Sequence, residues 1–138
     1  MSQPTTRPRR TGHPGYTETL PRRPESAALA RRLAQIALTT WGLAHLTDDA
    51  ALLISELAAN AVRHAQRNSI HVSVERIAPG TVRVSVADFS HALPEPRAAT
   101  TNDEDGRGLP LIAALATNWG ADERRWGKVV WAELEEHR

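Results

Sequence analysis

Apolar positions in this chain follow two rhythms, and the rhythm changes at identifiable breakers. The stretch "YTETL" alternates well enough for a short first strand, which Pro21 and Pro24 then end. Pro24 suits the first turn of a helix running to about Trp41. Ala28, Leu29, Leu33, Ile36, Ala37 and Leu38 recur there at helical spacing, with Arg31 and Arg32 outward. Gly42 closes that helix. Thr47 is a candidate N-cap for a second one, with Asp48 and Asp49 in the first turn where the helix dipole favours negative charge. The second helix is expected from about Asp48 to Gln66. "SIHVSVERI" and "TVRVSVAD" then alternate around "PG" at 79 and 80, the pattern of an antiparallel hairpin.

Beyond Phe89 the pattern lapses until Asp105, a length that in a compact domain usually marks a functional or mobile loop. "RGLPLIAALA" resumes helical spacing, and "TNWGADERRWGKVVWAEL" predicts two strands joined by a polar turn near Asp122 to Arg125. Strand, helix, helix, hairpin, loop, short helix and hairpin predict an α+β two-layer sandwich. Its sheet would be mixed but mostly antiparallel, with the helices on one face. No internal repeat is visible. Residues 1–15, "MSQPTTRPRRTGHPG", lack apolar periodicity and are expected to form a disordered tail, leaving 16–138 as the folded domain.

Composition narrows the function classes. At 138 residues, 41% hydrophobic and 24% charged, the chain fits one globular domain with a real core. No apolar run approaches the roughly 18 residues of a membrane span. The amino terminus carries arginines but no apolar stretch of a secretory signal, so a cytoplasmic protein without membrane contact is expected. The absence of cysteine excludes disulfides, thiolate catalysis and zinc–thiolate sites. The formal net charge of +1 gives no global pull toward nucleic acid. Aromatic interleaving for base stacking is also lacking, so no direct nucleic-acid partner is expected. Lys128 is the only lysine, and the six histidines form no pair with ligand-like helical spacing.

Four features could carry chemistry. In "LISELAANAVRHA", Glu56, Asn60 and His64 recur every four residues along an otherwise apolar helix. At about 100° per residue, Asn60 and His64 drift into the sector of Leu53 and Leu57, while Glu56 lies nearer Arg63 and Arg67. Spacing alone leaves a solvent-facing lane and a ligand-facing lane equally good. In "DGRGLPLI", Gly106 and Gly108 flank Arg107 at a helix start, where free N–H groups and the dipole favour phosphate. A flexible loop ended by a glycine-assisted helix start is the plainer alternative. Asp88 closes a strand, where a carboxylate can accept from an exocyclic amine; an exposed strand-end aspartate would look the same. "WGKVVW" places a glycine and Lys128 at the entry of the last strand, which an ordinary hairpin also explains.

Together, in order and spacing, these features resemble the GHKL ATP-binding fold over roughly residues 16–135. Within it they resemble the bacterial anti-sigma factor serine/threonine kinases. "ISELAANAVRHA" is similar to the family's N box, "VADFSHALP" stands at the first glycine box, "GRGLPLI" at the second, and "WGKVVWAEL" at the closing box. The resemblance implies an ATP-binding regulator that holds a sigma factor and phosphorylates a serine on an antagonist, the anti-anti-sigma partner. It implies Asn60 on Mg²⁺ and Glu56 orienting or deprotonating the attacking hydroxyl. Asp88 would read the adenine amine, with Gly106, Arg107, Gly108 and Leu109 over the phosphates and Lys128 among the nucleotide positions. His64 would play a supporting role, and relatives often pair as homodimers. A histidine kinase is disfavoured, because no helix ahead of residue 16 reads as a phosphoacceptor segment.

The sequence also departs from the family pattern. Asp88, Phe89, Ser90, His91 and Ala92 stand where relatives have D-x-G-x-G, so side chains occupy both glycine positions. Phe89 is expected near the adenine pocket, and Val129 replaces a threonine whose hydroxyl would support the adenine contact. These changes predict weakened nucleotide affinity. They keep open a second class of function, a binding module that sequesters a partner with little ATP turnover.

Overall fold

A computed structural model describes residues 5–6, 13–64, 67–89 and 108–136. The strands are β1 (Thr5–Thr6), β2 (Gly15–Pro21), β3 (Ser69–Ala78), β4 (Thr81–Asp88), β5 (Asn118–Arg124) and β6 (Gly127–Glu135). The helices are α1 (Ser26–Thr40), α2 (Thr47–His64) and α3 (Gly108–Leu115). The sheet order is β1-β2-β3-β4-β6-β5, and every pairing among the described residues is antiparallel. The expected two-layer α+β sandwich is what forms. Thr5 and Thr6 pair with Thr17 and Tyr16, and Gly15 pairs with Glu75, so three residues assigned to the tail belong to the sheet; the rest of 1–12 lies outside the described residues.

Alternation along the central strands decides which face meets the helices. Ile70, Val72, Val74, Val82, Val84 and Val86 are at most 2% exposed and pack under α1 and α2 with Leu33, Leu38, Leu53, Ile54 and Leu57. Ile112 of α3, fully buried, belongs to the same core. Leu29 and Ile36 share the expected spacing, but both are exposed on the outer flank of α1, and Ala30 and Ala34 join the expected Leu33, Ala37 and Leu38 in the core.

Each helix end has a local cause. Gly42 takes φ 74°, which a side chain would resist. That turn lets Leu43 N–H donate to Leu38 O at 2.8 Å and Gly42 N–H to Thr39 O at 3.2 Å, satisfying carbonyls the helix would leave open. At the start of α2 the sequence expectation fails. A 3₁₀ turn, Ala44–Leu46, runs straight into the helix, so Thr47 is already helical (φ −61°, ψ −44°). A cap needs extended backbone at that position, and the buried Thr47 Oγ1 consequently has no hydrogen-bond partner.

The β3–β4 hairpin turns at Pro79–Gly80, as its sequence predicts, with Arg76 Nε and Nη2 donating to Pro79 O at 3.1 and 2.9 Å. The last hairpin turns at Arg125–Trp126, slightly later than expected, because Asp122 and Glu123 still pair with Val129 and Lys128. On the face away from the helices, Arg83 donates to Glu133 at 2.8 Å through Nε and lies over the Trp131 ring, 4.8 Å from its centroid.

Candidate functional site

Asp88 and Lys128 meet in register where β4 finishes and β6 begins, and Glu56, Asn60 and His64 lie on the carboxy-terminal half of α2. α2 packs on β4, on β6 and on α3. Glu56 and Asn60 are half-buried, and His64 is exposed at the last turn of the helix. The lane is therefore graded: its first two members stand at the rim of the core sector. His64, the last described residue of α2, is exposed although helical drift carries it toward the sector of Leu53 and Leu57. Asn60 Oδ1 accepts a hydrogen bond from Arg63 Nη2, one turn further on. Sequence reading left Arg63 on the solvent side; the i, i+3 spacing was the signal that linked it to Asn60.

Asp88 is 2% exposed. It continues the inward series Val82, Val84, Val86, so its carboxylate faces the helix layer at the sheet's end, which removes the exposed strand-end alternative. Lys128 lies opposite it in register on β6 and shares that face. Directly opposed residues bring their Cβ atoms to about 5 Å, within reach of one ligand.

Two expectations about this end are corrected. Phe89 was expected near the adenine pocket, but alternation turns it to the other face. Its ring sits 6.2 Å from His71, edge-on, and 5.2 Å from Trp126. His71 itself points away from the helices, where its Nδ1 lies 3.1 Å from Thr19 Oγ1. Val129 pairs with Ala87, likewise one residue out of phase with Asp88, so its missing hydroxyl does not border the carboxylate. Neither change obstructs the Asp88 side.

Gly127 is the residue that sequence reasoning undervalued. A Cβ built on it would lie 1.9 Å from Asp88 O and 3.1 Å from Phe89 Cα, and its φ is 155°. Two backbones touch at this point, and only hydrogen at Cα allows it. A glycine between a turn and the last strand was visible; the strand end it presses on was not.

Gly106 and Arg107, like Ser90, His91 and Ala92, lie outside the described residues. Gly108 and Leu109 open α3 and stand at its amino terminus. Among the described residues no group of three or more His, Cys, Asp or Glu side chains could hold a metal. An ion at Asn60 would thus take most ligands from phosphate and water, the habit of Mg²⁺ rather than of a protein-caged metal. The half-buried Asn60 fits such a group, because its neutral amide oxygen is a hard donor that adds no charge beside phosphate. No helix among the described residues is long and apolar enough to cross a membrane.

Comparison with solved structures finds similarity to the histidine kinase domain from Erythrobacter litoralis EL346 blue-light activated histidine kinase. The TM-score is 0.51 at 20% identity, over 83% of this chain and 61% of that one. At that identity the likeness establishes the fold, and the chain spans about three fifths of the length of that structure. No curated protein matches. Residues 20–134, from the end of β2 to the end of β6, match the histidine kinase-like ATPase domain, and the chain belongs to that family.

Proposed function

We propose that this protein is an ATP-binding regulator, an anti-sigma factor that phosphorylates a serine on an anti-anti-sigma partner. The observation that carries the nucleotide part is the buried Asp88 carboxylate, at the end of the strand that α2 packs against. Asp88 accepts from the adenine exocyclic amine, and the bond is selective because a base with a carbonyl at that position would set one acceptor against another in a buried setting. Asn60 supplies an amide oxygen to Mg²⁺, which neutralises phosphate charge when bound. Gly106 to Leu109, with the amino terminus of α3, cover the phosphates, and Lys128 adds positive charge beside Asp88.

Glu56, one turn ahead of Asn60, holds the serine hydroxyl and takes its proton as the γ-phosphoryl group moves to oxygen. Phosphoryl transfer asks mainly for positioning and charge stabilisation, which a rigid helix presenting a carboxylate and an amide can supply. The sigma-factor and antagonist partners, a homodimer and a cytoplasmic setting are part of this proposal and rest on the sequence resemblance described above.

A second reading has support of its own. The glycine positions at 90 and 92 carry Ser90 and Ala92, and Asn60 Oδ1 is engaged by Arg63. Both favour a module that binds its partner while turning over little ATP. Calorimetry with Mg–ATP, followed by phosphate transfer to a purified antagonist, separates the two. The kinase reading expects binding that Asn60→Ala weakens at least tenfold, about 1.4 kcal/mol, together with labelled partner. Binding without transfer leaves the sequestering module, and no heat from wild type removes the nucleotide altogether.

A further inference from the structure

We propose that Arg63 sets the magnesium demand of this site by occupying the metal-binding oxygen of Asn60 in the nucleotide-free protein. The inference rests on the nucleotide reading above and assigns a residue that reading does not use. Arg63 Nη2 donates directly to Asn60 Oδ1, the atom a divalent cation would need. The two residues are three apart on α2, so the helix itself holds them in reach. An amide oxygen has two lone pairs, but a guanidinium on one opposes a divalent ion on the other, since two cations would stand only a few ångströms apart.

The guanidinium must therefore leave before the ion can settle. Arg63 is exposed and has room to leave, whereas Asn60 is half-buried at the core rim. The contact is a surface interaction of modest strength, so it tunes the ion's affinity rather than abolishing it. Arg63 acts here as a positioning residue: it keeps the amide oriented while the site is empty and yields to the loaded nucleotide.

The test is the magnesium dependence of nucleotide binding. The non-hydrolysable analogue AMP-PNP is titrated into wild type, Arg63→Ala and Arg63→Lys at a series of Mg²⁺ concentrations and in EDTA. Arg63→Ala is expected to lower the Mg²⁺ concentration for half-maximal tight binding about two- to fivefold. Arg63→Lys keeps the positive charge and is expected to stay near wild type, and without Mg²⁺ the Ala variant gains no affinity. Circular dichroism establishes that each variant is folded.

If wild type binds and Arg63→Ala needs as much Mg²⁺ or more, the inference fails while the nucleotide reading stands. If Arg63→Ala binds and wild type does not, the contact blocks the ion outright, and the inference holds in a stronger form. If neither variant nor wild type binds at any Mg²⁺ concentration, the nucleotide reading and the inference fall together.

Discussion

Gly127 offers the sharpest single perturbation. A methyl group there would sit 1.9 Å from the backbone oxygen of Asp88, against roughly 3.5 Å for an unstrained contact. The obstacles are main-chain atoms of Asp88 and Phe89, which cannot rotate aside as a side-chain tip could. To relieve the overlap, the start of β6 and the end of β4 must part by more than an ångström, in a ladder where Asp88 and Lys128 are the last registered pair. Overpacking of a well-packed contact typically costs about 1–3 kcal/mol, and the unusual φ of Gly127 adds to that. We expect Gly127→Ala to lose about 2–4 kcal/mol of stability, read from urea denaturation at constant m-value. Because Asp88 moves with the strand end, nucleotide affinity should fall as well. A loss below about 0.5 kcal/mol, with binding intact, would refute both the close approach and its role in holding Asp88 in place.

Three further substitutions probe independent parts of the account. Thr47→Val removes a buried hydroxyl without a hydrogen-bond partner at nearly constant volume, and should raise stability by about 1 kcal/mol; a loss in thermal denaturation would mean the hydroxyl is satisfied. Ile112→Ala opens a cavity where α3 meets the core and should cost about 2–4 kcal/mol, with urea unfolding as the readout and an unchanged midpoint as the contrary result. Glu56→Gln keeps the shape of the side chain but cannot take a proton. AMP-PNP affinity should stay within about twofold while phosphate transfer falls by 10²-fold or more, and equal transfer rates would remove the proposed base.

Most of the fold was legible because its core obeys plain periodicities. Val72, Val74, Val82, Val84 and Val86 announce two strands and their buried face, and Gly42 marks a helix end that the left-handed turn requires. What periodicity could not convey was depth and phase. Leu29 and Ile36 share the apolar spacing of α1 yet sit outside the core, since the spacing does not say how much of a helix the neighbouring α2 covers. Thr47 has the chemistry of a cap, but the preceding 3₁₀ turn brings it into helical conformation. At the site, the motif residues Glu56, Asn60 and Asp88 were chosen on resemblance, and the structure adds the burial of Asp88 that spacing had left open. Phe89 and Val129 were misread because a one-residue step in a strand reverses the face, and adjacency in sequence hides that reversal. The Arg63–Asn60 contact needed side-chain positions.

The central claim is that the buried carboxylate at the end of β4 reads adenine. Its most direct test compares ATP with GTP, whose six-position carries a carbonyl in place of the amine, on wild type and Asp88→Ala, both in Mg²⁺ and with folding established independently. Wild type is expected to prefer ATP by roughly 10- to 100-fold, the worth of one hydrogen bond to a charged acceptor, and Asp88→Ala to lose that preference. Equal affinity of wild type for the two nucleotides, or an undiminished preference in Asp88→Ala, would contradict it.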